Sequence, residues 1–344
     1  AGNGRFLLLF LVSFLKIGYN TYINPFGRFS FLMDALIQSL VQSNFAPDRI
    51  VPQASMAQYT TLRIGGPADV LVNVVSADEI AVALHAAKNA GAPVTIIGNG
   101  SNLLVRDGGI RGLVLRVAGG MNAIRREGDR LIVEAGASLA SVAAFARDEG
   151  LCGLAELGGI PGTVGGGVLM NAGAYGAELS QVVAQVEGIH LADGRRVSYP
   201  ADRLNFSYRH SALMDTDVVV TQATLALAPG DAEAIRARME ACARARREKQ
   251  PLNLPSAGST FKRPEGHFAA KLIDDCGLRG LTVGGAQVSE KHAGFVVNVG
   301  GATARDMLEL MRQIEQRVFE QTGVQLEPEV RILGADEQKK EESV

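Results

Sequence analysis

Cysteine and histidine are scarce in this sequence, and their scarcity excludes several classes of site. The 344 residues contain three cysteines, Cys152, Cys242 and Cys276, with no C-x-x-C pair, and five scattered histidines. An odd cysteine count without paired spacing excludes a disulfide framework and a cysteine-built zinc or iron–sulfur centre. No H-E-x-x-H spacing occurs, so we expect no metal site. Such cysteine usage is typical of a reducing compartment and predicts a cytoplasmic protein.

The chain also lacks an excess of charge of either sign. Its 34 lysines and arginines and 36 aspartates and glutamates give a formal net charge of -2. This balance shows no bias towards nucleic acid or an anionic membrane, so we expect neither as a partner. The apolar content of 47% and the charged content of 20% are those of an ordinary soluble globular protein. The length allows two or three domains with their own cores.

The first 32 residues differ from the rest of the chain. They carry three cations and no acid, and the apolar run from Phe6 to Leu15 has Ser13 as its one polar residue. This run is too short to cross a bilayer, and no A-x-A-like cleavage site follows it. Met33, the first methionine, directly precedes a predicted helix. We therefore expect residues 1–32 to be non-native or mis-started sequence, with an interfacial anchor or a signal peptide as alternatives.

Strand and helix patterns alternate from Met33 onward. The stretch "DVLVNVV" predicts a strand over 69–75, and a helix follows between Ser76 and Gly91. "EGIHLADGRRVSY" predicts a hairpin with its turn at Asp193-Gly194. Helices are also predicted over 268–276 and 303–322, and a strand over 324–333.

The organisation changes near Pro229-Gly230, where a long strand gives way to an arginine-rich helix and a proline-punctuated loop. We expect a domain boundary there. The predicted divisions are a first domain over 33–229, a second over 230–334, and a flexible, solvated tail over 335–344.

Glycine is in excess: 40 of 344 residues, about 12% against a usual ~7%. Two loops concentrate it, "GNGSN" at 98–102 and a longer stretch with ten glycines among residues 150–176. Backbone N–H groups without side-chain bulk can converge on phosphate oxygens, which predicts a phosphate or diphosphate ligand. The alternative is that these loops only turn corners.

The common nucleotide-binding fingerprints are missing. Gly98-x-Gly100 is followed three residues later by Leu103, so the Rossmann pattern fails, and no G-x-x-x-x-G-K-[ST] occurs. Two glycine-rich turns about 60 residues apart could hold a long ligand at two points. This favours a dinucleotide such as FAD on a non-Rossmann fold, although spacing alone does not identify it.

Charged residues in two stretches each have two possible roles. Arg246 falls on the stripe that Ile235, Met239 and Cys242 define on the arginine-rich helix, so it either snorkels to the rim or points into a polar cavity. In "VQLEPEVRIL" the residues Glu327, Glu329 and Arg331 share one face of the predicted strand. They form either an ion pair on a solvent face or a carboxylate and a guanidinium side by side in a cleft.

Seven stretches, taken in order, resemble one family. They are "YTTLRIGGPAD", "GNGSNLLV", "GLAELGGIPGTVGGGVLMNAGAYG", "FSYRHS", "REKQPLNLPSAGSTFKRPEGHFAAKLID", "GGAQVSEKHAGFVVN" and "EPEVRILG". Together they closely resemble the UDP-N-acetylenolpyruvoylglucosamine reductase (MurB) family, in the form without an extra tyrosine-bearing substrate loop. The resemblance covers about Met33 to Gly334.

The resemblance implies an α+β fold: an FAD-binding fold of the vanillyl-alcohol-oxidase (PCMH) type made of two subdomains, and a C-terminal substrate-binding domain. It implies non-covalent FAD, NADPH as co-substrate and a nucleotide-sugar substrate. The implied reaction reduces the enolpyruvyl group of UDP-N-acetylglucosamine-enolpyruvate to UDP-N-acetylmuramate in peptidoglycan synthesis. We also expect a monomer.

The resemblance also implies roles for individual residues. Ser259, a turn serine on local evidence alone, matches the family's proton donor, and Arg209 and Glu329 match its other catalytic residues. The substrate would meet Arg246, Lys249, Arg263 and Arg331. The residues expected to hold FAD are Tyr59, Arg63, Gly65, Gly98, Asn99, Gly100, Ser101, Asn102, Leu103, Gly159, Pro161, Gly162, Thr163, Gly165 and Ala174.

Two other functions remain open at this point. One is an FAD oxidoreductase of the same fold that acts on a different sugar or alcohol, against which the complete set of Arg209, Ser259 and Glu329 argues. The other is a catalytically inactive nucleotide-sugar binder or regulator. A sample without a flavin spectrum would weaken both enzyme hypotheses.

Overall fold

The computed structural model describes residues 27–337. Most of the expected leader and most of the expected tail lie outside these residues. No described helix is long and apolar enough to cross a membrane. The α-helices of the described chain are α1 (Gly27–Gln42), α2 (Ala77–Asn89), α3 (Leu139–Asp148), α4 (Val164–Leu169), α5 (Ala232–Lys249), α6 (Ala269–Asp275) and α7 (Ala304–Thr322).

The first lobe is a four-stranded sheet covered by α1 and α2. Its strands are β1 (Ile50–Ser55), β2 (Pro67–Asn73), β3 (Val94–Ile97) and β5 (Ile110–Arg116), with β4 (Leu103–Val105) between the last two in sequence. The sheet order is β1-β2-β5-β3, and the last three strands run parallel. Leu36 of α1, Ile80 of α2 and Leu113 of β5 pack in one fully buried cluster. The predicted helix after Ser76 is α2, and the Ser76 hydroxyl caps it by accepting from Glu79 N at 3.1 Å.

The second lobe is built on an antiparallel sheet of order β12-β11-β13-β7-β6. The strands of the sheet are β6 (Ile124–Glu127), β7 (Arg130–Glu134), β11 (Val183–His190), β12 (Arg196–Pro200) and β13 (Val218–Ala226). The lobe also contains two short pairs, β8 (Leu151–Cys152) with β14 (Ala228–Pro229) and β9 (Gly173–Ala174) with β10 (Ala177–Glu178). Helices α3 and α4 pack on this sheet through Val142 and Val168. The hairpin prediction is confirmed: β11 and β12 pair around Gly194, whose φ is +70°.

The third lobe contains α5, α6, α7 and a small antiparallel sheet. The strands of this sheet are β15 (Thr282–Val283), β16 (Ala286–Val288) and β17 (Val296–Asn298). The last strand of the lobe, β18 (Arg331–Leu333), is not part of the sheet. Leu310 and Ile314 of α7 pack on Val288 in the core. A capping box between Thr303 and Asp306 starts α7. Local sequence signals therefore set the limits of this helix.

The end of the third lobe is joined to the first lobe. Strand β18 pairs in parallel with β4, so that Arg331 lies opposite Leu103. The Asp107 carboxylate, beyond β4, accepts from the backbone N–H groups of Ala304 (2.8 Å) and Arg305 (3.0 Å) at the start of α7. A carboxylate there satisfies free N–H groups and favours the positive end of the helix dipole. The chain after Glu329 is thereby held beside the first glycine-rich loop.

The strand predicted over 324–333 is wrong for most of its length, because regular pairing begins only at Arg331. Pro328 has no N–H to donate to a ladder, and it forms only an isolated bridge with Phe261. The alternation itself holds in part, since Leu326 and Val330 are buried. The segment before β18 is thus extended chain whose hydrogen bonds go to two different lobes.

The chain crosses from the second lobe to the third between β14 and α5. The Asp231 carboxylate caps α5 by accepting from Glu233 N (3.2 Å) and Ala234 N (3.3 Å). The predicted boundary at 229/230 lies at this crossing, while the pairing of β18 with β4 carries the last strand back to the first lobe. The division into domains stays a prediction.

Candidate active site

Residues from all three lobes line one cleft. The turn after β3 and the segment that leads into α4 lie against each other and line a cavity of about 390 Å³. Its other walls come from β9, the end of α5, and the segments 257–259 and 329–333. This volume is within the range of cofactor and substrate pockets, which lie preferentially between domains.

Glycine allows the first loop to approach two other segments closely. Gly100 has a φ of +63°, and a Cβ at this position would overlap the carbonyl oxygen of Tyr59. A Cβ at Gly98 would overlap the Thr163 hydroxyl at the start of α4. These two glycines are therefore required by close packing and not only by the turn.

The first loop presents free backbone donors to the cleft. In the part of the chain that the structure describes, the N–H groups of Asn99, Gly100 and Ser101 have no protein acceptor. Across from them, Thr163 caps α4 by accepting from Gly166 N at 3.4 Å. The first N–H groups of α4 are themselves bonded within the protein, so the free donors are those of the first loop. Successive free N–H groups in a glycine-rich loop bind phosphate oxygens well. The residues present therefore fit the diphosphate of a dinucleotide such as FAD.

Arg209 is fixed in a strained turn at the opposite wall. Its φ is +57°, a conformation that few residues with side chains adopt. Ser207 and His210 exchange backbone hydrogen bonds around it, at 3.1 and 3.2 Å. Its Nε donates to Glu329 Oε1 at 2.7 Å, and the two side chains are only 19% and 14% exposed. Backbone strain of this kind persists where the surroundings fix it, often at functional sites.

The Glu329 backbone is held from two sides. Its N–H donates to the Thr260 carbonyl at 2.8 Å, and its carbonyl accepts from Asn102 Nδ2 at 3.1 Å. The Asn102 carbonyl in turn accepts from Arg331 N at 2.9 Å. The first glycine-rich loop therefore fixes the backbone of both Glu329 and Arg331, which sequence analysis placed on one strand face. The partner of Glu329 is Arg209, however, and not Arg331.

Ser259 lies on the segment 256–262, which bonds to the region of β17 on one side and to Glu329 on the other. Thr260 N donates to the Gly294 carbonyl at 2.9 Å, and Thr260 Oγ1 accepts from Val296 N at 2.9 Å. Gly258, with a φ of +79°, turns the chain immediately before the serine. Ser259 is exposed to the cleft, and within the described residues its hydroxyl has no protein partner. It is thus free to bond a ligand while its backbone is fixed.

Arg246 enters the cleft from α5, as one of the two hypotheses for this residue predicts. Its side chain lies against Gly159, where a Cβ would come within 2.7 Å of Arg246 Cδ. Burial lowers the pKa of the Arg246 guanidinium below its ordinary value, and an arginine still remains charged at neutral pH. In the described chain no carboxylate pairs with it. The site therefore contains a half-buried cation that an anion of the ligand could neutralise.

Most of the predicted site residues lie around this cleft. The three predicted catalytic residues, Arg209, Ser259 and Glu329, line it, and so do Arg246 and Arg331. The predicted FAD contacts that line it are Gly98, Asn99, Gly100, Ser101, Asn102, Leu103, Pro161, Gly162, Thr163 and Ala174.

Seven predicted residues lie outside the cleft lining. Five of them are predicted FAD contacts: Tyr59, Arg63, Gly65, Gly159 and Gly165. The three glycines make close packing contacts, Gly65 against Met56 and Val105, Gly159 against Arg246, and Gly165 against Ala135. The other two are the predicted substrate contacts Lys249 and Arg263. The Arg263 guanidinium stacks on the Phe268 ring at 4.7 Å. Their roles in binding stay predictions.

Sequence analysis missed several cleft residues. Phe295 lies in the lining, although it follows a glycine in an ordinary strand pattern. Gln250 also lines the cleft, one helical turn after Arg246. Two sequence features could have indicated that Gln250 lies near the site: it precedes Pro251, and it follows a helix whose apolar stripe ends in Arg246.

In the described residues no cluster of three or more histidine, cysteine or acidic side chains could hold a metal ion.

Two family models match the chain. The "FAD binding domain" model matches residues 68–199, and the "UDP-N-acetylenolpyruvoylglucosamine reductase, C-terminal domain" model matches residues 250–333. The α+β architecture of an FAD-binding part followed by a separate C-terminal part is thereby confirmed, and FAD is the cofactor.

Relatives agree over most of the chain. A UDP-N-acetylenolpyruvoylglucosamine reductase of Pediococcus pentosaceus is 47% identical over 88% of this chain and 100% of its own length. That of Clostridium novyi is 45% identical over 87% of this chain and 97% of its own. The crystal structure of the MurB enzyme from Thermus caldophilus superposes with a TM-score of 0.71 at 39% identity, over 83% of this chain and 98% of that one. The chain belongs to the UDP-N-acetylenolpyruvoylglucosamine reductase family.

Proposed function

We propose that this protein reduces the enolpyruvyl group of UDP-N-acetylglucosamine-enolpyruvate to UDP-N-acetylmuramate, with NADPH as the reductant, in peptidoglycan synthesis. Family membership supports the reaction. The observation that carries it at the level of residues is the partly buried Arg209–Glu329 pair, which shares one cleft with Ser259 and both glycine-rich loops.

Bound FAD supplies the hydride relay between NADPH and the substrate double bond. The free N–H groups at 99–101 would hold its diphosphate. The aliphatic side chains of Leu103, Leu139 and Ile160 supply apolar wall for its rings. The described cleft lining contains no histidine or cysteine, and this supports a non-covalent cofactor.

Arg209 and Glu329 would stabilise the charge that builds during the reaction. Hydride adds to the terminal alkene carbon, and negative charge develops at C2 and spreads into the adjacent carboxylate. A guanidinium fixed by a 2.7 Å bond to Glu329 opposes that charge without reorganising. The carboxylate keeps Arg209 in place, because its own backbone is anchored to Thr260 and Asn102.

Ser259 would complete the reaction by donating its hydroxyl proton to C2. One hydride and one proton are then added across the double bond, NADPH leaves as NADP⁺, and the serine alkoxide regains its proton from water. Serine is a weak acid, but a carbanion is a strong base, so proximity and alignment suffice. The hydroxyl has no competing protein acceptor in the described chain, and its backbone is fixed on either side.

The remaining cations would bind the anionic parts of the substrate. Arg246 and Arg331 line the cleft and are the candidates for the carboxylate or diphosphate. Lys249 and Arg263 are exposed and lie outside the lining, so contact with them would require a ligand that extends beyond it.

Each part of the chain would have its own role. Residues 33–229 would bind FAD, and residues 230–334 would bind substrate. The expected tail over 335–344 begins with two fixed residues, since Ala335 N donates to the Gly109 carbonyl at 2.9 Å and Asp336 pairs with Arg106 at 2.6 Å, and residues 338–344 lie outside the described chain. We also propose a cytoplasmic monomer without nucleic-acid partners; the net charge of -2 supports the last of these. Size-exclusion chromatography with light scattering tests the monomer, since a dimer would double the measured mass.

The decisive experiment is an NADPH oxidation assay with and without UDP-N-acetylglucosamine-enolpyruvate. We expect a flavin spectrum in the purified protein and a rate that depends on this substrate. A rate that the substrate leaves unchanged would remove the proposed reaction but leave another FAD oxidoreductase open. A protein without flavin that still binds UDP-sugars would instead favour an inactive binder.

A further inference from the structure

Gln250 occupies a constrained position at the end of α5. Its N–H donates to the Arg246 carbonyl at 2.8 Å and so closes the last turn of the helix. Pro251 follows, and a residue before proline is kept out of the helical region. The backbone of Gln250 is accordingly extended, with φ -108° and ψ 150°. The side chain therefore leaves from a fixed point one turn after Arg246.

The amide of this side chain lines the cleft without a protein partner. In the described chain three buried side-chain atoms lack a hydrogen bond: Arg116 Nε, His190 Nδ1 and Gln250 Oε1. Of these three residues only Gln250 lines the cleft. A buried acceptor without a donor is costly, and native proteins rarely retain one without a reason. A ligand donor in the cleft would remove this cost.

The neighbours of Gln250 indicate what kind of ligand brings that donor. Arg246 lines the same part of the cleft and has no carboxylate partner in the described chain. A ligand that satisfies both residues must carry an anionic group close to a hydroxyl or N–H group. A nucleotide sugar has this chemistry, because its diphosphate lies between two sugars that bear hydroxyl groups and, on one of them, an amide N–H.

The position of Gln250 favours the substrate over FAD as this ligand. The FAD-binding family model ends at residue 199, whereas Gln250 is the first residue of the reductase-specific C-terminal model. The free backbone donors that fit the cofactor diphosphate lie in the first lobe, at 99–101. We infer that Gln250 is a substrate-binding residue whose Oε1 accepts a hydrogen bond from a sugar hydroxyl or N–H group of the nucleotide sugar. This inference rests on the proposed function.

Replacement of Gln250 by methionine tests the inference, since methionine keeps the length of the side chain but removes the acceptor. We expect KM for UDP-N-acetylglucosamine-enolpyruvate to rise roughly three- to tenfold. The kcat, the bound flavin per chain and the rate at which NADPH bleaches the flavin should stay the same. The Tm of the substrate-free protein should stay the same or rise, because an unpaired buried acceptor is lost. Gln316→Met, on the exposed face of α7, is the matched control.

Each outcome separates the inference from the proposed reaction. An unchanged KM in Gln250→Met, or lost flavin with a normal KM after FAD is added back, would show that the amide does not meet the substrate. A fall in Tm together with a lower kcat would show a structural role instead. Calorimetric titration with UDP-N-acetylglucosamine gives a readout without turnover. If wild type binds it, the variant binds it more weakly and neither oxidises NADPH, the inference stands and the proposed reaction fails.

Discussion

Arg209 and Arg246, two of the three arginines in the described cleft lining, are supported in opposite ways. On the Arg209 side, the guanidinium is bonded to Glu329 at 2.7 Å, and the carboxylate is anchored through its own backbone. On the Arg246 side, the guanidinium and the neighbouring Gln250 amide have no such partners in the described chain. A pair that is satisfied before the ligand arrives can oppose developing charge at once, whereas unsatisfied groups gain their partners on binding. The first side should control kcat and the second KM.

The largest effect is expected from Ser259→Ala, which removes the proposed proton donor. NADPH should still bleach the flavin, because FAD binding and its reduction do not use this hydroxyl. Recovery of the flavin colour on addition of substrate should slow by roughly 10³-fold, within the usual range for a lost general acid. Stopped-flow absorbance separates the two half-reactions.

Ser256→Ala is the matched control for this change. Ser256 lies three residues earlier on the same segment, outside the cleft lining, and its backbone forms an isolated bridge with Val297. Normal turnover by Ser259→Ala would remove Ser259 from the mechanism. A loss of flavin in that variant would point to misfolding of the segment.

The next largest effect is expected from Glu329→Gln, which breaks the internal partnership of Arg209. The amide keeps the shape of the side chain but loses the charge that fixes the guanidinium, so kcat should fall roughly 10²-fold. KM should change little. Steady-state kinetics measures both, and Glu327→Gln, whose ion pair with Lys262 at 3.3 Å is on the surface, serves as the control. A rise in KM with a normal kcat would place Glu329 on the binding side.

Arg246→Met probes the opposite side of the cleft. Loss of this cation should raise KM for the anionic substrate roughly ten- to a hundredfold, as expected for a charge-assisted contact. The kcat at saturation should remain within about threefold of wild type if the contact is equally strong in substrate and transition state. Arg244→Met, exposed on the same helix, is the control. Equal losses in kcat and in kcat/KM would erase the distinction between the two sides.

Local signals explain which parts of the fold could be predicted from sequence. The limits of α2 and α7 follow from caps within three residues of each helix start, at Ser76 and at Thr303 with Asp306. The strand predicted over 324–333 fails because its partners lie elsewhere, in the 260–262 segment and at Asn102. Alternation shows which residues share a face, but not which lobe that face meets.

The candidate site was predictable only where a residue type is unusual in its local pattern or where the chain resembles a family. Arg246 is visible as a cation on an apolar stripe. Arg209, Ser259 and Glu329 are far apart in sequence, and only the resemblance brought them together. The pairing of Arg209 with Glu329 depends on the φ of +57° in one turn. The position of Gln250 before Pro251 is visible in the sequence, but the lack of a partner for its amide is not, since that depends on what surrounds the side chain.

The smallest effect is expected from Asp107→Asn, which weakens the cap of α7 and leaves both sides of the cleft intact. An asparagine can still accept one hydrogen bond, but it loses the favourable charge at the helix start, so the variant should lose about 0.5–1 kcal/mol of stability. In a chain of this size that lowers Tm by roughly 1–3 °C, measurable by calorimetry. Asp148→Asn, an exposed change at the end of α3, controls for charge. If kcat stays normal, the local bonds from Asn102 and Thr260 are sufficient to position Glu329. A large fall in kcat would mean that docking of the whole third lobe, and not those two bonds, holds the Arg209 side in place.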